Sequence, residues 1–333
     1  MRHRWLGLLF CLGLFSCAPR EPRPRDRLVM YAAGPRNLAE QIAADFTAET
    51  GIPVDLFQAT TGQIMARLEA ERYRPRADVV LFASEVAAAA LKSENRLLQH
   101  VPASAEHLRE GWSDPDGFYH ATSAALVGIA TTLSAPPLPA RWPDILAMPD
   151  GLRLVMPSPS RSGAAGDFLV AYLINFPEGL SQFEQARAGG LEFAAANSQA
   201  ISSLLMGAQH GVIGAVDYLI YRQIERGDPL RMFFPEEGAV LVTRPIAILR
   251  QTPNPDAARA LVDFYFREET QRRIAAAHLL PGRADIPPSP VRDPEPPQLI
   301  RADPQTALRK QSALLRDFQL RVERAMVIPE ARP

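Results

Sequence analysis

Residues 28 to 62, LVMYAAGPRNLAEQIAADFTAETGIPVDLFQATTG, contain the pattern that decides the fold. Leu28–Ala32 is a short apolar run, which predicts a buried strand, and Asn37 is placed to cap a following helix. Val54–Phe57 predicts a second strand, and Thr60–Gly62 begins a second helix. This strand–helix repetition predicts an α/β domain with a parallel sheet.

The same alternation continues toward the C-terminus. Ala77–Phe82 (ADVVLF) is uniformly apolar, as expected of a parallel strand covered on both faces. A second α/β pattern begins with a strand at Leu152–Met156 and a helix at Ala164–Ile174. Two long β-rich runs, 118–132 and 239–249, accompany these units, so the sequence predicts two lobes joined by two crossover strands. In such sheets ligands bind where strands end and helices begin.

Charge and composition limit the partners. The 333 residues contain 36 basic and 37 acidic side chains, a formal net charge of -1. A chain so balanced has no general attraction for nucleic acid, and we expect none as a partner. The hydrophobic fraction of 47% is typical of a globular protein.

The N-terminus has the layout of an export signal. Basic residues precede Trp5–Phe15, an apolar run too short to span a bilayer. The run ends in Leu14-Phe15-Ser16-Cys17, which resembles the bacterial lipobox. We therefore expect residues 1–17 to be a lipoprotein signal peptide with lipidation at Cys17. The Pro- and Arg-rich residues 18–27 are expected to be a tether.

Catalytic signatures are missing from the sequence. Both cysteines precede residue 18, so the body has no Cys nucleophile or Cys-based zinc site. The whole sequence contains no G-x-S-x-G, H-E-x-x-H, Walker A or G-x-G-x-x-G motif, and its six histidines show no metal-ligand spacing. The sequence thus predicts a protein that is not an enzyme and has no cofactor or resident metal.

The segment PSPSRSGAA at 157–165 is the most informative candidate site. Serine hydroxyls, unpaired backbone N–H groups and the positive end of a helix suit an anion, and Gly163 permits close approach. An ordinary serine-rich helix cap has the same composition, so that alternative stays open. The turn after Val54–Phe57 is similar and would face it across a cleft. The candidates from the two turns are Thr60, Thr61, Ser160, Arg161, Ser162, Gly163 and Ala164.

Further candidates follow other strands. Gly34 and Ser84 come after the first and third strands of the first unit. Asp217 and Tyr218 follow the strand at 211–216, and Tyr221 lies one helical turn later; these tyrosines are either pocket walls or core. A ligand amino group would require a carboxylate, for which Asp217 and Glu237 are the candidates.

Motifs along the body resemble those of the periplasmic solute-binding proteins of bacterial ABC importers. The resemblance covers about Leu28 to Leu280 and is closest to the group that binds ferric iron, 2-aminoethylphosphonate or sugar phosphates. It rests on VMYAAG, TTGQIMARLEAE, ADVVLFAS, DPDGFYHAT, MPSPSRSGAAGDFLVAYL, GAVDYLIYRQIERGDPLRMFFPEEGA, RPIAIL and NPDAARALVDFYFREETQ.

This resemblance implies a type II periplasmic-binding-protein fold, with lobe 1 formed by 28–122 plus 245–333 and lobe 2 by 123–244. It implies a monomer, lipid-anchored at the periplasmic face of a bacterial membrane, that closes on a solute and delivers it to a membrane-embedded ABC permease.

One departure from the family pattern narrows the choice of ligand. The iron-binding branch has adjacent tyrosines where this chain has Asp217-Tyr218, and no Tyr-Tyr pair occurs anywhere in the chain. A small anionic solute, a phosphonate or organophosphate, is therefore expected. Ferric iron held by Tyr218 and Tyr221 is the alternative, and a receptor module for a membrane sensor is a second alternative. An extracytoplasmic enzyme on the same two-lobed scaffold is a further hypothesis, but it would require a nucleophile or a metal cluster, and the sequence shows neither.

Overall fold

The protein is described by a computed structural model over residues 27–292 and 295–324. The predicted signal peptide, Cys17 and residues 18–26 of the tether lie outside the described residues. The strands are β1 (Leu28–Ala32), β2 (Val54–Gln58), β3 (Val79–Leu81), β4 (Leu97–Leu98), β5 (His120–Thr132), β6 (Leu154–Pro157), β7 (Glu192–Ala194), β8 (Gly211–Val216), β9 (Leu230–Phe233), β10 (Ala239–Leu249), β11 (Leu280–Pro281) and β12 (Leu299–Ile300).

The helices are α1 (Arg36–Thr50), α2 (Thr61–Ala70), α3 (Glu85–Ser93), α4 (Trp142–Leu146), α5 (Gly163–Asn175), α6 (Gly179–Ala188), α7 (Asn197–Leu205), α8 (Asp217–Glu225), α9 (Pro255–Tyr265), α10 (Glu268–Ala276) and α11 (Pro304–Phe318). A 3-10 turn covers Ala105–His107, and a π-helical turn covers Gln319–Glu323. Within the described ranges, none of the helices has the length and apolar character that crossing a membrane requires.

The sheet order is β2-β1-β3-β10-β5-β8-β6-β7. β1 is parallel to β2 and β3 in one half, and β6 is parallel to β7 and β8 in the other. The long strands β5 and β10 lie antiparallel to each other between these halves. The predicted fold, two α/β lobes joined by two crossover strands, is confirmed.

Two element boundaries differ from the prediction by one or two residues. The third strand is shorter than Ala77–Phe82, although Asp78, just before it, still donates its backbone N–H to the Val29 carbonyl oxygen at 2.8 Å. Its Oδ2 accepts from the Val29 backbone N–H at 2.7 Å, and its Oδ1 accepts from Thr252 Oγ1 at 2.7 Å. The first helix begins at Arg36, before Asn37, and has no side-chain cap at Pro35.

The C-terminal helix extends across both lobes. Asp303 begins α11 by accepting a hydrogen bond from the Thr306 backbone N–H, 2.8 Å away. α11 then packs against α3 of the first lobe and α5 of the second, and β12 pairs with β10 just before it. The end of the described chain thus contacts both halves of the molecule.

Candidate functional site

A cavity of about 480 Å³ lies between the lobes, where the parallel strands end. First-turn residues of α1, α2, α5, α7 and α8 contribute to its wall. The first backbone N–H groups of a helix have no helical acceptor, and the helix dipole is positive there. Because several helix N-termini line this cavity, which is the cleft between the lobes, the cleft favours an anion. Of the predicted site residues, it is lined by Gly34, Thr60, Thr61, Ser162, Gly163, Ala164 and Tyr218.

The charged side chains of the cleft have one sign. Its described lining includes Arg36, Arg222 and Arg244 but no Asp or Glu. Arg36 is exposed and reaches Glu40, 3.4 Å away on its own helix. A cleft with three guanidinium groups and no carboxylate selects negative ligands.

Arg244 is the most unusual of these residues because it is only 3% exposed. It lies in β10 where the pairing with β5 shifts register, between Arg244 and Pro245, and such irregularities redirect side chains. Its Nη2 donates to the Ala33 carbonyl oxygen, and its guanidinium carbon is 5.8 Å from the Tyr218 ring centroid. It makes no ion pair with any acid in the described part of the chain. Burial lowers the pKa of Arg244, yet guanidinium stays charged at neutral pH.

A buried cation without a counterion is unfavourable, and a bound anion would relieve that cost. The sequence prediction missed Arg244 because the whole run 239–249 was assigned as a strand. The available signal was a single charged residue inside an otherwise apolar run, AVLVTRPIAIL.

Ser162 and Asn197 form a polar pair in the second lobe. Ser162 caps α5 by accepting from the Ala165 backbone N–H at 3.3 Å, and it also accepts from Asn197 Nδ2 at 3.0 Å. With both contacts accepting, its hydroxyl hydrogen remains available to donate to a ligand. Asn197 Oδ1 is buried and has no partner within the described ranges, so it can accept from a ligand hydroxyl or amino group. Asn197 was not predicted from the sequence.

Gly163 lies where the first turn of α5 approaches the first turn of α2. A Cβ atom at Gly163 would lie 2.7 Å from Thr61 Oγ1 and 3.2 Å from the Ala83 carbonyl oxygen. Thr61 is held in place because its Oγ1 accepts from the Ala83 backbone N–H at 3.1 Å. Only glycine therefore permits this contact between the first turns of α2 and α5.

The predicted serine-rich turn is divided between two roles. Ser158 and Ser160 donate to the two carboxylate oxygens of Glu323, at 2.9 and 2.8 Å. The anion bound by these two serines is thus the carboxylate of Glu323, in the C-terminal segment of the chain itself, and not a ligand. Ser160 and Arg161 do not line the cleft, whereas Ser162 does.

Asp217 and Tyr221 also lie outside the cleft lining. Asp217 is fully buried and forms an ion pair with Arg292, which additionally donates to the His278 carbonyl oxygen at 2.6 Å. The ring of Tyr221 lies 5.0 Å from the Arg292 guanidinium and faces a different cavity. The prediction that Asp217 receives a ligand amino group does not fit this arrangement, because its carboxylate already has a buried counterion.

Ser84 and Glu237 are likewise used within the fold. Ser84 donates to Asp167 Oδ1 at 2.6 Å, and the Glu85 backbone N–H donates to Asp167 Oδ2 at 3.2 Å. Burial raises the pKa of Asp167 to about 7, although these two hydrogen bonds oppose the increase. Glu237 accepts from the Trp142 backbone N–H at 3.0 Å, so it orders the start of α4.

The geometry does not favour the metal alternative. The described residues contain no group of three or more His, Cys, Asp and Glu side chains that could hold a metal ion. Tyr218 lines the cleft, but Tyr221 lines the other cavity, so the two tyrosines do not meet at one site.

Comparison with known proteins gives matches over most of the chain. The model of the bacterial extracellular solute-binding protein family matches residues 28–279. A probable ABC transporter periplasmic-binding protein, y4fP, of Sinorhizobium fredii is 24% identical over 286 residues, 81% of this chain and 78% of that protein.

Solved structures share the fold at low identity. AfuA from Actinobacillus pleuropneumoniae, with fructose-6-phosphate bound, has a TM-score of 0.81 at 19% identity, covering 90% of this chain and 99% of its own. Iron-bound HitA from Pseudomonas aeruginosa has a TM-score of 0.76 at 21% identity, covering 88% and 99%. The resemblance seen in the motifs is confirmed, and the chain belongs to the bacterial extracellular solute-binding protein family.

Proposed function

We propose that this protein captures a small anionic solute, a phosphonate or organophosphate, in the cleft and delivers it to the permease of an ABC importer. The observation that carries the proposal is Arg244, a buried guanidinium without an acidic partner among the described residues, in a cleft lined by three arginines and no carboxylate. A phosphonate or phosphate group supplies the missing negative charge and several acceptor oxygens.

The available contacts are strong enough for capture. Hydrogen bonds to charged groups contribute about 1.5–3 kcal/mol each, and a helix N-terminus up to ~2 kcal/mol when partly buried. A micromolar dissociation constant requires about -8 kcal/mol. Arg244, the Ser162 hydroxyl and the N–H groups at the start of α5 together reach that order. Asn197 Oδ1, which has no partner among the described residues, favours a solute that also carries a hydroxyl or amino group.

Delivery to a permease is supported by the Sinorhizobium relative, whose name assigns it to an ABC transporter. Capture of an organophosphate is supported by AfuA, which shares the fold and holds fructose-6-phosphate. On ligand binding, lobe 1 (28–122 with 245–333) and lobe 2 (123–244) would close on each other. A lipid on Cys17 would hold the monomer at the periplasmic face of the membrane.

The alternatives have less support in the geometry. HitA shows that the same fold holds iron. Here, however, the described residues of the cleft lining include one tyrosine, Tyr218, and three arginines, whose positive charges repel a ferric ion. Service to a membrane sensor uses the same cleft, and permease and ATPase genes beside this one would favour import.

Calorimetric titration tests the ligand class. The solutes are 2-aminoethylphosphonate, sugar phosphates, inorganic phosphate and ferric citrate. Ser162→Ala should weaken binding of the preferred anion several-fold. Gly163→Val should abolish it, because the added side chain would collide with Thr61. Ser160→Ala is the matched control: it removes a serine of the same turn that does not line the cleft, and should leave affinity unchanged. Tight binding of ferric ion alone, insensitive to Ser162→Ala and Gly163→Val, would overturn the proposal.

A further inference from the structure

A second cavity of about 540 Å³ lies beside the crossover strands, and its described lining shares no residue with that of the cleft. Its walls are largely apolar, and they include the side chains of Trp112, Leu126, Phe234 and Leu241 together with several prolines of the segment after β11. Trp112 is 7% exposed and Leu126 is 6% exposed, so the indole ring and the leucine side chain are packed into the wall of the cavity. This volume is in the range of small-molecule sites, and the apolar surface suits an organic body rather than a bare inorganic ion.

The polar groups of this cavity are mainly cationic. Arg109 is half-buried; its Nε donates to the Pro281 carbonyl oxygen at 2.9 Å, and its guanidinium carbon lies 5.5 Å from the Trp112 ring centroid. It makes no ion pair with an acid in the described ranges, and burial lowers the pKa of Arg109. Its charge is therefore partly desolvated and has only a carbonyl and an aromatic ring as partners.

The remaining charges agree with an anion at this position. Arg301 also lines the cavity, and Glu110 is the only acid among the described lining residues. Arg292 lines it too, but its guanidinium is already engaged by Asp217. A ligand with a negative group at Arg109 and an apolar body against Trp112 would match both the charge and the walls.

We propose that this second cavity binds an apolar carboxylate, with the carboxylate on the Arg109 guanidinium and a ring or alkyl chain packed against Trp112 and Phe234. A carboxylate matches the planar donors of guanidinium and can form two parallel hydrogen bonds with it. The site is independent of the solute proposed for the cleft, because no described residue lines both cavities.

The test uses the full chain, with phenylacetate and octanoate as probes. We expect saturable binding by calorimetry, together with a change in tryptophan fluorescence that disappears in Trp112→Phe. Trp142 is fully buried in the core, so it should not respond. Acetate has the charge without the apolar body, and 2-phenylethanol has the body without the charge; each should bind at least tenfold more weakly than phenylacetate.

Variants distinguish this site from nonspecific binding. Arg109→Gln should weaken phenylacetate binding tenfold or more, whereas Arg109→Lys, which keeps the positive charge, should retain most of it. Arg250→Gln, an exposed arginine outside both cavities, is the matched control. If Arg109→Gln unfolds, the Arg109→Lys and Trp112→Phe results still decide. Absence of binding at millimolar probe, or binding with no fluorescence response from Trp112, would overturn the proposal.

Discussion

Arg244 and Arg292 are both buried, 3% and 7% exposed, but their surroundings differ. Arg292 has the Asp217 carboxylate, a backbone carbonyl and the Tyr221 ring as partners. Arg244 has a carbonyl and the Tyr218 ring but no described acid. A buried cation with a counterion belongs to the fold, while one without a counterion, on the wall of a cleft, is available to a ligand. The comparison separates a structural arginine from a binding arginine.

The largest expected effect is on stability, from Arg292→Gln. The change leaves the fully buried Asp217 carboxylate without its counterion, and breaking such a pair costs about 3–5 kcal/mol. Urea unfolding should show this loss, while solute affinity measured well below the midpoint stays near that of the wild type. Adding Asp217→Asn to Arg292→Gln should recover part of the stability. A loss below ~1 kcal/mol in the free energy of unfolding would show that the Arg292–Asp217 ion pair does not stabilise the fold.

Arg244→Gln should have the opposite profile. Loss of one charge-assisted contact of about 1.5–3 kcal/mol predicts a ten- to hundredfold weaker affinity for the anionic solute. The free energy of unfolding should stay equal or rise, because an unpaired buried charge is removed. Calorimetry and urea unfolding of the same preparation measure both quantities. Unchanged affinity with a several-kcal/mol loss of stability would show that Arg244 is structural as well.

The acids give a smaller, pH-dependent version of the same comparison. Asp217 is paired with Arg292, whereas the described partners of Asp167 are the Ser84 hydroxyl and the Glu85 N–H, and burial raises the pKa of Asp167 to about 7. The folded chain therefore retains a proton that the unfolded chain releases near pH 4. The stabilisation associated with that proton is full below pH 4 and is lost as the pH rises through about 7.

Melting temperatures between pH 5 and 8 test this prediction. The wild type should lose stability across that range, and Asp167→Asn, which stays neutral, should lose less. Asp55→Asn, at an exposed carboxylate, is the control and should keep the wild-type slope. An identical slope in Asp167→Asn would show that this carboxyl does not titrate in the window.

Local patterns account for the features that the sequence predicted well. Apolar runs and helix caps placed the strands and the turns that hold Thr61, Ser162 and Gly163, because these depend on neighbours in sequence. Side-chain partners could not be predicted in the same way. Whether Asp217 or Ser160 faces a ligand depends on Arg292 and Glu323, which lie 75 and 163 residues away along the chain. The fold could therefore be predicted from the sequence more completely than the residues of the site.

The contact of Glu323 with Ser158 has a consequence for the order in which the molecule assembles. The two residues are separated by 165 positions, and the crossover strands join Thr122 to Arg244 across 122 positions. Such contacts require large loops to close before any interaction compensates for the lost chain entropy, which slows folding. The turn at the start of α5 is synthesised long before the carboxylate that satisfies its serines. We therefore expect the serine-rich turn before α5 to reach its final form only after the segment that contains Glu323 is available.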